Sequence, residues 1–138
     1  MIVNVVLDDG AYMPEKAHEA DAGFDLRTPS KVIIPAKQSR IISTGVHAEI
    51  PHGYVGFLKS KSGLNVKSGI LSEGVIDSGY TGGIIAKLYN QNSAVKVFEK
   101  GDKITQLVIL PIPEVEMVEV DSLEDTERGS NGFGSSGR

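Results

Sequence analysis

The apolar residues of this chain come in short runs, and turn-forming residues separate each run from the next. Val, Ile, Tyr and Phe dominate the runs, which have the length of β-strands and lack the spacing of a helix. Prolines and many of the 16 glycines stand between them. Nine runs are predicted to be strands: residues 2–7, 31–34, 40–43, 46–50, 54–59, 83–89, 94–98, 105–112 and 115–120. The pattern predicts an all-β domain, built as a β-barrel or a jelly roll.

Only one segment favours a helix, and it is short. Residues 62–67 can form one or two turns, with Ser62 as the candidate N-cap and Gly69 as the stop. The end of the chain is rich in glycine, serine and acidic residues, with almost nothing to bury. We therefore predict little helix, a barrel domain over residues 1–120, and a flexible glycine-rich C-terminal arm of the same domain over residues 121–138.

Composition excludes several classes of protein. The chain has no cysteine, which removes disulfides, thiolate metal sites and cysteine nucleophiles. Its net charge of −4 argues against broad nucleic-acid binding, which requires a basic surface. No apolar run approaches the roughly 20 residues that cross a bilayer, and the N-terminus lacks the basic lead and cleavage site of a signal peptide. We expect a cytoplasmic protein that binds neither nucleic acid nor membrane.

Three segments hold residues suited to chemistry, although each also has an ordinary structural interpretation. Residues 74–82 read as a strand and a tight turn, where Asp77 can activate water or simply cap its own turn. Residues 59–64 alternate lysine and serine before a glycine, which offers donors to phosphate or forms a solvated basic loop. Arg128 and Phe133 lie in a tail without the phosphate-loop signature. Arg128 can bind phosphate, and Phe133 can stack on a base, only if an interaction orders the tail.

Five segments taken together make a more specific pattern than any one of them. They are residues 20–26 (Ala-Asp-Ala-Gly-Phe-Asp-Leu), 51–64 (the strand and Lys-Ser elbow), 74–82 (Gly-Val-Ile-Asp-Ser-Gly-Tyr-Thr-Gly), 101–107 (Gly-Asp-Lys-Ile-Thr-Gln-Leu) and 128–137 (Arg-Gly-Ser-Asn-Gly-Phe-Gly-Ser-Ser-Gly). Their order and spacing resemble the five motifs of the trimeric dUTP diphosphatase family, also called dUTPases. The resemblance covers most of the chain and implies a dUTPase-like β-clip, a distorted jelly roll whose tail folds over substrate at a subunit interface.

Three positions depart from the pattern of that family. Lys61 stands where the family usually has Arg, which replaces a planar bidentate donor with a point charge. Asn131 occupies a position that is often Gly, and Gly79 occupies one that is often acidic. None of these changes removes a reacting group, so we expect activity.

The resemblance implies hydrolysis of dUTP to dUMP and pyrophosphate, with Mg²⁺ as cofactor and a homotrimer with shared active sites as the assembly. Asp77 would be the base that activates water for attack on the α-phosphate, and Gln106 would hold that water or an α-phosphate oxygen. Asp25 would support Mg²⁺ through coordinated waters, with the metal bound to the phosphates.

The resemblance also assigns the substrate contacts. Tyr80 would pack against the deoxyribose and exclude a 2′-hydroxyl, and Phe133 would stack over the uracil ring. At the phosphate chain, the contacts would be Lys61, Ser62 and Gly63. At the γ-phosphate, the tail would supply Arg128, Ser135 and Ser136, with Gly134 beside them. At the uracil edge, the contacts would be the backbone groups of Gly74, Val75, Ile76 and Ile84.

Two other functions stay open at this level. A dCTP deaminase resembles this family in fold and can combine deamination with pyrophosphate release, so release of ammonia separates the two enzymes. A nucleotide-sensing regulatory protein would use dUTP to order the tail for a partner protein. It would bind Mg·dUTP tightly and turn it over slowly or not at all.

Overall fold

The structure, a computed structural model, describes residues 1–137 as ten β-strands and one helix. In chain order the elements are β1 (Asn4–Leu7), β2 (Gly23–Arg27), β3 (Val32–Ile34), β4 (Ser39–Ser43), β5 (Val46–Glu49), β6 (Tyr54–Lys59), α1 (Ser62–Ser68), β7 (Ile70–Ile76), β8 (Ile85–Asn90), β9 (Lys96–Phe98) and β10 (Lys103–Pro111). The predicted all-β class is confirmed.

Six strands form one antiparallel sheet, which carries most of the site described below. Their order is β2-β10-β6-β7-β8-β4, so strands that are distant in sequence lie side by side. The pairs β1-β5 and β3-β9 form two further antiparallel sheets. The register between β10 and β2 shifts between Lys103 and Thr105, which is a bulge that bends the edge of the large sheet. Together these strands make the distorted barrel that the sequence predicts.

Two packed clusters of apolar side chains hold the barrel together. The first joins β2, β5, β6 and β10, with Leu26, Leu58 and Leu107 among its members. The second joins β3, β4, β7, β8 and β9, with Ile70 and Leu88 among its members. Because successive strand residues point to opposite faces, these clusters fix the direction in which the intervening polar side chains project.

Eight of the nine predicted strands are present, each with bounds within two residues of the prediction. β2 and the first half of β7 were not predicted. Both strands carry polar residues that lower their strand propensity, Asp25 in β2 and Ser72 in β7, yet both residues are buried. The buried Ser72 hydroxyl accepts a hydrogen bond from Thr105 Oγ1 at 3.1 Å, so a partner from β10 compensates for its burial.

The ninth predicted strand, over residues 115–120, is wrong for the single chain. The last strand ends at Pro111, and residues 112–137 contain neither strand nor helix. Every residue from 112 to 137 is exposed, including apolar ones such as Met117. A strand requires a neighbour for its backbone hydrogen bonds, and no strand within residues 1–137 pairs with this segment.

The helix lies where it is predicted, but its N-cap differs by one residue. α1 ends before Gly69, which adopts the left-handed conformation with φ of 60°, as expected for the stop. Lys61, and not Ser62, is the N-cap residue, and its side chain makes no capping hydrogen bond. Lysine has no acceptor to offer, so the first N–H groups of the helix gain no side-chain partner there. No helix within residues 1–137 is long and apolar enough to cross a membrane.

Candidate active site

A row of four polar side chains crosses four neighbouring strands of the large sheet. Asp25 on β2 pairs with Gln106 on β10. Gln106 pairs in turn with Lys59 on β6, and Lys59 pairs with Glu73 on β7. Residues paired across antiparallel strands lie side by side and point to the same face. Three ionisable groups and one amide therefore share one surface.

Asp25 is a buried carboxylate held by two lysines. Lys61 donates a hydrogen bond to Oδ1, and Lys103 Nζ lies 2.7 Å from Oδ2. Both carboxylate oxygens therefore contact an ammonium group, and each has a second lone pair that can accept a further hydrogen bond. Burial raises the pKa of Asp25, but the contacts with Lys103 and Lys61 outweigh burial and hold the pKa below its ordinary value of 3.8.

Gln106 lies next to this carboxylate and is fixed by its neighbours. Its Nε2 donates a hydrogen bond to the Ser60 carbonyl at 3.0 Å. Gly23 provides the necessary space, because a Cβ at that position would lie 2.3 Å from Gln106 Oε1. The side-chain amide keeps Oε1 and one N–H for a water or a phosphate oxygen. We call Asp25, Lys61, Lys103 and Gln106 the phosphate-side cluster.

The start of α1 adds backbone donors to the phosphate-side cluster. The first hydrogen bond of the helix runs from the Asn65 N–H to the Lys61 carbonyl at 2.9 Å, so the N–H groups of Ser62 and Gly63 have no acceptor within the helix. Both residues are exposed, and a Cβ built on Gly63 would meet no atom within 4 Å. An anion can therefore approach these N–H groups closely.

A loop of residues 77–84, which we call the Asp77 loop, joins β7 to β8. The Tyr80 N–H donates to the Asp77 carbonyl at 3.2 Å and closes a turn, with Gly79 at a φ of 86°. The Tyr80 hydroxyl donates to the Gly83 carbonyl at 3.0 Å. Asp77 itself is exposed. An open cavity of about 220 Å³ lies here, lined by Val75, Ile76, Asp77, Tyr80, Gly83 and Ile85.

β7 changes its partner just before this loop. Residues 70–72 pair with β8, whereas residues 73–76 pair with β6 while β8 has diverged. Backbone groups along a strand point alternately to its two sides. Part of the backbone of residues 74–76 therefore faces the gap beside the cavity, with N–H and C=O groups free to pair with a ligand.

Ile84 does not share this arrangement. Its N–H donates to the Val46 carbonyl at 2.8 Å, and its carbonyl accepts from both the backbone N–H and the hydroxyl of Thr44. The side chain is fully buried. The predicted contact between the Ile84 backbone and uracil would require one of these bonds to break, whereas residues 74–76 need no such change.

The tail lies apart from both regions within one chain. Its hydrogen bonds are formed among residues 126–137, such as the one from Arg128 Nε to the Asn131 carbonyl at 2.9 Å. Phe133 is fully exposed. The predicted tail contacts, Arg128, Phe133, Gly134, Ser135 and Ser136, are thus all exposed and contact neither the phosphate-side cluster nor the Asp77 loop through a hydrogen bond among residues 1–137.

Asp77 and the phosphate-side cluster do not meet within one chain. Asp25 and Glu73 stand at the two ends of the row of paired side chains that crosses four strands. Three strand spacings, or roughly 14 Å, therefore separate them. Asp77 lies four residues beyond Glu73, which adds roughly 13 Å in the perpendicular direction. The separation along the sheet is roughly 20 Å, whereas a base must lie about 3 Å from the proton that it removes. One chain therefore carries two half-sites.

Two residues to which the sequence analysis gave no role contact the predicted site. Lys103 pairs with Asp25, and its position inside the fourth motif is a signal that could have identified it. His47 on β5 reaches the Asp77 loop, with Nδ1 2.9 Å from the Thr81 carbonyl and Nε2 3.1 Å from Asp8 Oδ1. No local pattern around His47 indicates this contact, which depends on the fold.

The fold and the donor set define an all-β protein with a site for a phosphate-bearing ligand. A family model described as dUTPase matches residues 9–137. The deoxyuridine 5'-triphosphate nucleotidohydrolase of Tropheryma whipplei (strain Twist) is 41% identical over 138 residues, which cover 96% of this chain and 94% of that protein. The chain belongs to the dUTPase family.

Solved structures agree with this assignment. The Staphylococcus bacteriophage 80alpha dUTPase, solved with dUPNHPP, superposes with a TM-score of 0.92 at 33% sequence identity, over 99% of each chain. A mutant dUTPase from phage phi11 of S. aureus, whose structure reveals the coordination of a structural Mg(II) ion, gives a TM-score of 0.83 at 29% identity, over 91% of this chain and 100% of that one. The predicted jelly-roll fold of the family is therefore confirmed.

Proposed function

We propose that this chain hydrolyses dUTP to dUMP and pyrophosphate, in a homotrimer whose active sites are shared between chains. The observation that carries the proposal is the pair of half-sites in a member of the dUTPase family: a base candidate beside an open cavity, and a cationic cluster suited to phosphates. Asp77 removes a proton from a water, the water oxygen attacks the α-phosphorus, and pyrophosphate leaves.

The phosphate-side cluster positions the reacting atoms. Gln106 holds the attacking water through Oε1 or an α-phosphate oxygen through its N–H. Lys61 supplies positive charge, and the N–H groups of Ser62 and Gly63 donate hydrogen bonds to the phosphate chain. Because lysine is a point charge, it neutralises phosphate without the bidentate geometry of the arginine that is usual in the family.

The residues of the site fit a metal ion that would be bound mainly by the phosphates of the substrate. Among residues 1–137 no group of three or more His, Asp or Glu side chains could chelate an ion. Asp25 offers one buried carboxylate, which would support Mg²⁺ through the waters of the ion, without direct ligation. When bound, Mg²⁺ offsets the negative charge of the triphosphate.

The cavity beside Asp77 suits the nucleoside. Backbone groups of residues 74–76 pair with the uracil edge, and cytosine presents the opposite donor pattern there. Tyr80 packs on the deoxyribose. Its ring lies against Gly82, where a Cβ would come within 2.4 Å of the Tyr80 hydroxyl, so the backbone limits where the ring can move. Packed on the sugar, the ring excludes a 2′-hydroxyl. Phe133 stacks over the base from the other side.

The homotrimer supplies what the single chain lacks. Asp77 of one chain faces the phosphate-side cluster of a second, and the tail of a chain closes over the γ-phosphate through Arg128, Ser135 and Ser136 with Gly134 beside them. The exposed apolar residues of the segment after β10 support burial against other chains. The proposal includes a domain of residues 1–120, an arm of residues 121–138 and a cytoplasmic location.

A release assay tests the proposed activity. Pyrophosphate and ammonia are measured with dUTP, dCTP, dTTP and UTP side by side, with and without Mg²⁺. We expect Mg²⁺-dependent release of pyrophosphate from dUTP alone, without ammonia. Ammonia from dCTP would indicate the deaminase instead, and tight binding of Mg·dUTP without release of pyrophosphate would indicate a nucleotide sensor.

A further inference from the structure

The Asp77 loop has few attachments to the rest of the chain. Inside the loop, two hydrogen bonds link Tyr80 to Asp77 and Gly83. At its end, Ile84 is fixed to β5 through Val46. Between residues 77 and 83, the hydrogen bond with His47 is the one contact of this kind that reaches the loop from elsewhere in residues 1–137. This hydrogen bond therefore ties the middle of the loop to the rest of the chain.

Both ring nitrogens of His47 face acceptors. Nδ1 lies 2.9 Å from the Thr81 carbonyl, which has no proton to donate, and Nε2 lies 3.1 Å from a carboxylate oxygen of Asp8. Only the imidazolium carries a proton on each nitrogen, so it alone can donate both bonds at once. A neutral ring keeps one bond and turns a lone pair toward the other acceptor.

The far end of this contact is itself anchored. The Asp8 N–H donates to the Gly45 carbonyl at 2.9 Å, and the Asp8 carbonyl accepts from the Ala11 N–H at 3.0 Å. Gly45 adopts a φ of 69°, and a Cβ there would lie 2.8 Å from Ala11 Cβ. Asp8 thus belongs to a tightly packed turn against the β4–β5 connection. The turn therefore fixes the His47 ring, and the fixed ring can restrain the Asp77 loop.

The electrostatic surroundings favour the imidazolium. The hydrogen bond to the Thr81 carbonyl raises the pKa of His47 above its ordinary value of 6.5, partial burial opposes this, and Asp8 raises the pKa further. Glu49, on the same strand, lines a second cavity together with His47 and Thr81. Its carboxylate accepts a hydrogen bond from Asn4 Nδ2 at 2.8 Å. From the loop itself the group that faces the ring is the uncharged Thr81.

We propose that His47, oriented by Asp8, is a positioning residue that clamps the Asp77 loop through the Thr81 carbonyl and so fixes Asp77 and Tyr80 for turnover. The proposal rests on the function proposed for those two residues. The clamp is complete while the ring is protonated. It loses one of its two bonds as the pH rises through the raised pKa of His47, and the loop becomes less restrained.

Hydrogen exchange and kinetics of matched variants test the clamp in the full-length protein. His47→Ala removes both bonds, whereas His47→Asn retains an N–H near the position of Nδ1 and has no titration. We expect amides of residues 77–83 to exchange several-fold faster in His47→Ala, and kcat for dUTP to fall by about tenfold with KM changed by less than about twofold, since small misplacement of a reacting group is costly. His47→Asn should restore most of both properties.

The pH profile separates positioning from a merely structural role. The ratio of kcat between the wild type and His47→Asn should decline as the pH rises from 6 to 8.5, because only the wild type loses a bond over that range. Asp8→Asn should shift this decline to lower pH. Unchanged loop exchange in His47→Ala overturns the proposal, and so does faster exchange with an unchanged kcat.

The exchange measurement needs no substrate, so it also separates this proposal from the proposed function. If the wild-type chain released no pyrophosphate from dUTP, the proposed function would fail whatever the exchange data. If the wild type turned over dUTP normally and His47→Ala did the same, only the positioning role would fail.

Discussion

Two inactive variants should restore activity to each other if chains share active sites. The first variant is Asp77→Asn. The second is the double variant Lys61→Gln and Gln106→Ala, which removes the positive charge of Lys61 and the amide of Gln106 from the phosphate side. The half-sites lie roughly 20 Å apart within a chain, so each working site takes Asp77 from one chain and the phosphate side from another. In trimers assembled at random from an equal mixture, each requirement is met with a probability of about one half, so about one quarter of the sites are intact.

The assay follows pyrophosphate release after the two variants are unfolded together, mixed in different ratios and refolded. With x the fraction of the first variant, the rate should follow x(1 − x), with its maximum at equal amounts. Mixing the folded proteins without unfolding gives the control, which should stay inactive if chains do not exchange. A rate that only interpolates between the two pure variants would show that each chain uses its own Asp77, and the shared site would be refuted.

Three further predictions concern single features of the site. Asp77→Asn should lower kcat for dUTP by at least about 10²-fold, as loss of a general base does, with nucleotide binding retained by calorimetry; the matched control Ser78→Ala, in the same exposed turn, should keep a near-normal rate. Deleting residues 128–138 should reduce turnover much more than the melting temperature, and an unchanged rate would contradict the proposed lid. Asp25→Asn should lower the free energy of unfolding by about 1–3 kcal/mol at neutral pH, because the two lysines lose their partner but are partly exposed to water. The folded-state pKa of Asp25 is lowered, so this contribution is present above pH 3.8 and disappears as the pH falls through the folded pKa. Urea unfolding of the wild type and Asp25→Asn at fixed protein concentration should therefore converge in acid, and a constant difference would exclude the ion pairs as its source.

Most strands could be predicted because their apolar residues recur in short runs between turn residues. Such a run is nearly sufficient for a strand to bury one face in the core. β2 and the first half of β7 were missed for a physical reason. Asp25 and Ser72 are tolerated inside strands because partners from distant segments satisfy them, Lys61 and Lys103 in the first case and Thr105 in the second. Local propensity contains no information about such partners.

The motifs supplied the residue types of the site, but the contacts among them depend on the fold. His47 and Thr81 are 34 residues apart in the chain, and β5 brings them together. Ile84 shows the opposite case. Its place just after the third motif suggests an available backbone, whereas Thr44 and Val46 already occupy its polar groups. A motif identifies which residues belong to a site more readily than it tells which of their atoms are free.

The predicted strand at residues 115–120 and the divided site point to the same missing neighbour. The segment has strand-like composition, yet Val115, Met117 and Val120 are all exposed and no strand of residues 1–137 pairs with it. The site lacks, in the same way, a base within reach of its phosphate side. A second copy of the chain can supply both a surface for the segment and an Asp77 for the site, so a sequence pattern that fails within one chain is consistent with selection for the assembly. If so, removing residues 112–138 should weaken association between chains as well as closure over the nucleotide, whereas removing residues 128–138 should affect closure alone, and sedimentation of the two truncated chains separates these effects.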